Sequence, residues 1–221
     1  MHIEGYDASH VLNLIKESKK IAVVPSRIAG VNSFCAGLGL YRMLQNSGKE
    51  AYLIHTGKIP DICKDLIKKD EVLSDISQRK LNVSIDYSGT RAQKVHYTTE
   101  DDVLHLVVQP VERDFNKDRI NVSISGFDFD LIFIIGALDF EDLGGMQRDL
   151  ENEFRNANII NIDNNEKNKR FGTVNVVDTH AENLSEIIFK RGYEWELIPE
   201  KNAAKALLTG MTYRDVWAVE G

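Results

Sequence analysis

The residues able to do chemistry in this chain are few, and most have a simpler use. Asp139, Glu141 and Asp142 form an acidic group of a kind that binds a cation, although a solvated loop uses the same residues. Cys35 and Cys63 are too few for a disulfide framework or a cysteine-built zinc cluster, and Cys35 lies in an apolar context that suits a small core residue better than a nucleophile. Gly37 and Gly39 in AGLGLYRML resemble part of a dinucleotide fingerprint. Position 42 is Arg42, however, and both glycines lie inside a helical segment, so close helix–sheet packing is the better reading. No histidine stands at a ligand-like spacing from another: His96 and His105 fall on expected hairpin strands, and His180 is isolated. That leaves three loops, 25–32, 136–142 and 163–168, each following an apolar run. In an open α/β sheet ligands sit beyond the carboxyl ends of the strands, so these loops share one crevice if their strands are neighbours.

The hydrophobic pattern supplies the scaffold for those loops. Val11, Leu12, Leu14 and Ile15 make a one-sided stripe, predicting a helix over 8–18 capped by Asp7 or Ser9. KIAVVP (20–25) is a short apolar run closed by proline and reads as a buried strand. A helix over 33–46 with Gly48 at its C-terminal cap follows, then a strand over 50–55, which completes a βαβ unit and implies a parallel sheet. From Thr56 the texture changes. A helix is expected over 62–68, LNVSID (81–86) alternates with period two, and VHYTT and VLHLVVQP flank Glu100, Asp101 and Asp102 as an antiparallel hairpin. Residues 58–127 are therefore taken as a β-rich insertion within one domain spanning 1–221. The parallel pattern returns with FDLIFIIG (129–136), a helix over 146–156, a strand over 157–163 and helices over 181–191 and 203–208. The fold class is α/β, a parallel sheet with helices on both faces plus an antiparallel β insertion.

Composition narrows the classes further. At roughly 150 residues per domain the length allows one large domain or two small ones. With 43% hydrophobic residues the 221-residue chain can bury a core, which excludes wholesale disorder. No apolar run approaches ~18 residues, and the opening MHIEGYDASH lacks a basic and an apolar leader region, so the chain reads as neither membrane-spanning nor secreted. With the sparse cysteines, this points to a reducing cytoplasm. A net charge of -7 argues against a generally basic nucleic-acid-binding surface and leaves room for a local patch.

Four segments, in order, resemble one family. IINIDNNEKNKRFGTVNVVDTHAENLSEIIF (159–189) is similar to the stretch that carries Asp-His-His, "FG.VN" and a Ser-Glu helix start in the DHH phosphoesterases. IAVVPSRIAGVNSFCAGLGLYRMLQNSGKEAYLI (21–54) resembles that family's His-x-x-x-Asp-x-Asp segment, long helix and "GK" turn. FDLIFIIGALDF (129–140) resembles its strand ending in an aspartate, and ALLTGMTYRDVW (206–217) its closing "TGI..DT". Members include single-strand exonucleases, oligoribonucleases, cyclic-dinucleotide phosphodiesterases and polyphosphate or pyrophosphate hydrolases. The resemblance implies two divalent ions, usually manganese, activating water against a phosphate ester. It also implies a second, smaller α/β domain after the first, so this chain is expected to carry the first domain alone.

Carried over residue by residue, the resemblance also implies that the metal ligands are lost. Ser26 stands at the histidine position and Gly30 and Asn32 at the two aspartates. Gly136 ends the strand that should end in aspartate, and only Asp163 remains of Asp-His-His, followed by Asn164 and Asn165. The last aspartate aligns with Arg214, or with Asp215 if the register shifts by one. Two divalent ions about 4 Å apart need several carboxylates, which Ser, Gly and neutral Asn do not supply. The expectation is therefore a chain without a metal cofactor and without catalytic residues at this site. Its crevice, made of Ser26, Asn32, Asp163, Asn164 and Asn165 with Arg214 as an anion partner, binds a nucleotide or short oligonucleotide, or is filled and inert. The alternatives are a metal-dependent phosphodiesterase or phosphatase with a relocated site around Asp139, Glu141, Asp142, Asp163 and Asp178, and an interaction protein that meets a protein partner or forms a homodimer by pairing edge strands of the insertion.

Overall fold

The structure, a computed structural model, describes residues 6–74, 80–86, 94–109, 117–125, 129–149 and 151–214, and its chain divides into two compact units, 1–77 with 127–221 and 78–126. In the first unit, β1 (Lys20–Pro25), β2 (Glu50–Ile54), β3 (Val72–Leu73), β8 (Leu131–Ile135), β9 (Asn158–Asp163) and β10 (Val174–Val177) form one parallel sheet in the order β10-β9-β8-β1-β2-β3. The four residues from Ile132 to Ile135 show why the central strands read as continuous apolar runs. A parallel sheet covered on both faces leaves no strand side for polar residues, and all of β8 is buried.

The two faces are covered by different helices. On one, Ile21 and Val23 of β1, Phe133 of β8 and Ile160 of β9 pack with α2 (Gly30–Asn46), α5 (Leu184–Glu194) and α6 (Lys201–Thr212), and α1 (Ala8–Glu17) adds Val11 and Ile15. On the other, Ala22, Val24, Ile132 and Ile134 meet Met146 of α3 (Gly145–Asp149) and Phe154 of α4 (Glu151–Asn156). Asp7 caps α1 by accepting the Ser9 N–H at 2.9 Å, which decides between the two expected caps. Gly37 lies against Pro25, as expected of helix–sheet packing, whereas Gly39 lies against Leu207 and admits α6 instead. No helix of the described residues is long and apolar enough to cross a membrane.

Three expectations shift. The helix expected over 62–68 is a 3₁₀ turn at Asp61–Cys63 followed by turns and irregular chain, although Ile62/Leu66 and Cys63/Ile67 stand at helical spacing. Residues 58–74, expected in the insertion, belong to the first unit, where Val72–Leu73 adds a short edge strand beside β2. The strand at Val174–Val177, unread in the sequence, closes the other edge against β9.

The second unit contains β4 (Lys80–Ile85) paired antiparallel with β7 (Ile120–Ser125), and β5 (Lys94–Glu100) paired antiparallel with β6 (Val103–Gln109). The β5–β6 hairpin turns on Asp101 and Asp102 with φ of 49° and 62°, the left-handed pair a two-residue hairpin requires. Each ribbon has one apolar face, Val83–Val122 and Ile85–Ile120 in one, Val95–Val108 and Tyr97–Leu106 in the other. Most of these side chains are exposed, with Tyr97 at 74%.

Candidate functional site

The reversal of strand order lies at β1, whose neighbours β8 and β2 lead to opposite edges of the sheet, so the carboxyl ends of β1, β8 and β9 frame the expected crevice. At the end of β1 the Ser26 N–H donates to the Ile135 carbonyl at 2.8 Å, tying the first loop to β8. Buried Ser26 Oγ accepts the Ile28 N–H at 3.2 Å, and Ser33 Oγ donates to the Ser26 carbonyl at 2.5 Å. Asn32 has a structural contact in this arrangement. Its Oδ1 accepts the Leu184 N–H at 3.1 Å, satisfying a free amide at the start of α5.

The third loop is organised around Asp163, which is 3% exposed. Its Oδ1 accepts the N–H groups of Asn164 and Asn165 at 2.8 and 3.3 Å, and its Oδ2 accepts Asn168 Nδ2 at 2.8 Å. Burial pushes the carboxyl above its ordinary range, against those hydrogen bonds, and the nearby Asp142 charge adds to the rise. Asn168 also donates to the Ala137 carbonyl at 2.8 Å, while its Oδ1 accepts Asn161 Nδ2 at 2.7 Å and the Arg170 N–H at 2.8 Å. Asn161 and Asn175 face each other across β9 and β10 at 3.3 Å, so a buried amide network runs beneath the loop. Asn164 Nδ2 donates to the Ala181 carbonyl at 3.1 Å, and Asn165 Oδ1 accepts the Lys167 N–H at 2.9 Å. The structure thus gathers Asp163, Asn164 and Asn165 at one strand end. It places Arg214 exposed beyond α6, its guanidinium donating to the Met211 carbonyl at 3.4 Å, while Asp215 lies outside the described residues.

Gly136 decides how much room the crevice has. It has φ +73°, and a Cβ there would lie 2.8 Å from both Ala29 Cβ and Leu184 Cδ1 and 3.2 Å from Ser33 Cβ. The loop after β1 and the start of α5 therefore close over the end of β8. A metal pair also needs several carboxylates, and the three aligned strand ends offer Asp163 alone, both of its oxygens already accepting hydrogen bonds. The residues present do not fit a two-metal site.

The acidic residues of the relocated-site alternative are spent separately. Asp139 pairs with Lys169, and Asp142 Oδ2 accepts the Leu138 N–H at 2.8 Å and the Asp139 N–H at 3.2 Å. Buried Asp178 pairs with Arg191 at 3.4 Å and accepts the His180 N–H at 3.2 Å, while Glu141 is exposed. Among the described residues no three His, Cys, Asp or Glu side chains are gathered to hold a metal ion. The cysteines do meet, which their spacing does not reveal: buried Cys35 Sγ and Cys63 Sγ are 3.3 Å apart. That contact and burial push the Cys35 thiol up, the behaviour of an inert core thiol.

A second concavity, unread in the sequence, lies at the carboxyl ends of β2 and β3. It has a volume of about 840 Å³ and is lined by His55, Ile59, Ile67 and Val72 together with Lys58, Lys64, Lys68 and Lys69. Buried His55 packs edge-on against Phe34 at 5.0 Å, with Nδ1 3.3 Å from the Pro25 carbonyl. Burial lowers its pKa, and the Arg27 charge beside it lowers it further, so the ring is neutral near pH 7. The available signal was four lysines between 58 and 69 in a chain of net charge -7.

No protein-family profile matches the chain, and no curated protein does. Among solved structures it is similar to an exopolyphosphatase-related protein from Bacteroides fragilis, at 15% sequence identity and a TM-score of 0.63, over 92% of this chain and 48% of that one. The chain thus spans about half the length of that neighbour. At this identity the likeness concerns the fold, an α/β domain with a six-stranded parallel sheet flanked by helices.

Proposed function

We propose that this chain is a phosphoesterase-like protein that binds a nucleotide or short oligonucleotide without cleaving it. The observation that carries the reading is the closure over Gly136, where a Cβ would meet Ala29 and Leu184 at 2.8 Å, in a fold shared with an exopolyphosphatase-related protein. The strand ends that would have to hold a metal pair instead hold backbone amides and asparagines. Ser26, Asn32, Asp163, Asn164 and Asn165 thus each contribute to the structural frame of these strand ends. Retention of phosphate affinity is supported by the cationic lining of the neighbouring pocket, in a molecule whose overall charge is negative.

A thermal-shift screen of nucleotides, cyclic dinucleotides and divalent ions tests this directly, since a ligand that binds only the folded state raises its midpoint. The reading expects at least one nucleotide to raise the midpoint and manganese alone to leave it unchanged. Manganese-dependent hydrolysis of a short RNA or cyclic dinucleotide, lost on Asp163→Ala, would refute it.

A second reading, self-association through the β unit, is supported by the exposed apolar faces of its two ribbons. A two-stranded ribbon is marginal in water unless something covers its apolar face. Mass measurement in solution tests this reading, which a monomer at high protein concentration would contradict.

A further inference from the structure

The pocket at the carboxyl ends of β2 and β3 differs from the β1–β8–β9 crevice in the two properties that matter for a ligand, room and charge. Its volume of about 840 Å³ lies within the ~300–1,000 Å³ range of small-molecule sites. Four of its lining residues are lysines and none is acidic. Asp61, outside the lining, bridges Lys58 at 3.4 Å and Lys64 at 2.7 Å. Lys68 and Lys69 close no ion pair among the described residues, so two ammonium groups remain to meet an anion. Arg27, close enough to His55 to lower its pKa, extends the positive field toward the first loop.

The floor is of the opposite kind. Ile59, Ile67 and Val72 present hydrocarbon, and the His55 ring is held in place by Phe34 and the Pro25 carbonyl. A bare inorganic anion gains nothing from that floor, whereas a flat heterocycle does. Lysine rim and apolar floor together match a ligand with clustered negative charge at one end and a ring at the other.

We propose that this pocket is the ligand site of the chain and takes a nucleoside polyphosphate, its phosphates on Lys58, Lys64, Lys68 and Lys69 and its base on the floor made by Ile59, Ile67 and Val72. The assignment rests on the reading of the chain as a phosphate-ligand binder, and it moves the binding from the strand ends of β1, β8 and β9 to the neighbouring edge of the same sheet. Because the contacts are ammonium to phosphate, affinity falls as salt rises.

Calorimetric titration with ATP and with inorganic tripolyphosphate, on the whole chain, tests it. Three proteins are compared: wild type, Lys68→Glu/Lys69→Glu, and the charge-matched control Lys16→Glu/Lys190→Glu, whose lysines are exposed and lie outside the pocket lining. The expected result is ATP binding that weakens at least tenfold in the pocket variant and stays within about twofold in the control, with tripolyphosphate binding more weakly than ATP. No ATP binding overturns the assignment. So does equal weakening in both double variants, which marks a response to net charge, and so does tripolyphosphate binding as tightly as ATP, which removes the base from the site. ATP binding that ignores Lys68 and Lys69 but is lost on Asn164→Lys leaves the binding reading standing and refutes this pocket. Manganese-dependent consumption of ATP, abolished by Asp163→Asn, refutes the non-cleaving reading, while the lysine variants still decide the site.

Discussion

Replacing Gly136 by alanine adds one methyl group at the point where the structure closes the crevice, and two separate costs follow. The first is conformational: φ is +73°, and a side chain in the left-handed region costs about 1–2 kcal/mol, partly offset by about 0.4–1 kcal/mol from a stiffer unfolded chain. The second is steric. The new Cβ would sit 2.8 Å from Ala29 Cβ and Leu184 Cδ1, so the first loop or α5 must shift, and overpacking of this kind costs about 1–3 kcal/mol. Gly48 separates the two costs. It has φ +81° at the C-terminal cap of α2, and nothing lies within 4 Å of its would-be Cβ, so Gly48→Ala carries the conformational cost alone. Gly136→Ala is expected to lose roughly 2–4 kcal/mol and Gly48→Ala about 1 kcal/mol. In a domain of this size that corresponds to melting midpoints lowered by roughly 5–15 °C and 2–4 °C. Urea titrations with equal m-values supply the same comparison as free energies. Equal losses in the two variants would show that position 136 has room for a side chain and would refute the closed crevice. A Gly136→Asp protein with wild-type stability that gains further from manganese would refute it more strongly still.

Three further outcomes follow from the same geometry. Burial raises the Asp163 pKa, so its contribution to stability is fully present below the unfolded carboxylate pKa and is lost as pH rises through the higher folded value; Asp163→Asn should gain on wild type as pH rises through that window and level off above it, and a pH-independent difference would contradict the buried carboxylate. Asn168→Ala removes partners from the Ala137 carbonyl, Asp163 Oδ2, Asn161 Nδ2 and the Arg170 N–H, and is expected to cost roughly 2–4 kcal/mol in urea unfolding, whereas a loss below about 0.5 kcal/mol would mean that the network is not formed. Tyr97→Lys with Leu106→Lys places charge on the exposed apolar face of the β5–β6 ribbon and should shift sedimentation toward monomer if that face carries self-association, leaving the melting midpoint of the parallel-sheet unit within about 2 °C.

The central strands were legible because burial on both faces leaves an unbroken apolar run, as at Leu131–Ile135, and because one helix between two such runs implies parallel pairing. The edge strands were not. Val72–Leu73 is two residues long, and Val174–Val177 carries Asn175 inward to meet Asn161, so neither has a periodicity to read. The positions of the site loops followed from the strand ends, but what their residues do did not. Asn32 satisfies the start of a helix at Leu184, and Ala29, Ser33 and Leu184 meet over Gly136, contacts that join segments far apart in the chain. The lysines between 58 and 69 follow no motif in the sequence, and only the irregular path of that segment along the β2–β3 edge draws them around one cavity.

The central claim, that the chain holds a phosphorylated ligand without cleaving it, is tested most directly by phosphorus NMR of ATP with the protein, followed over hours with and without manganese. The account predicts that the ATP resonances broaden or shift on adding protein, with no new phosphate or diphosphate signal in either condition. A growing phosphate signal that requires manganese and disappears in Asp163→Ala would contradict it.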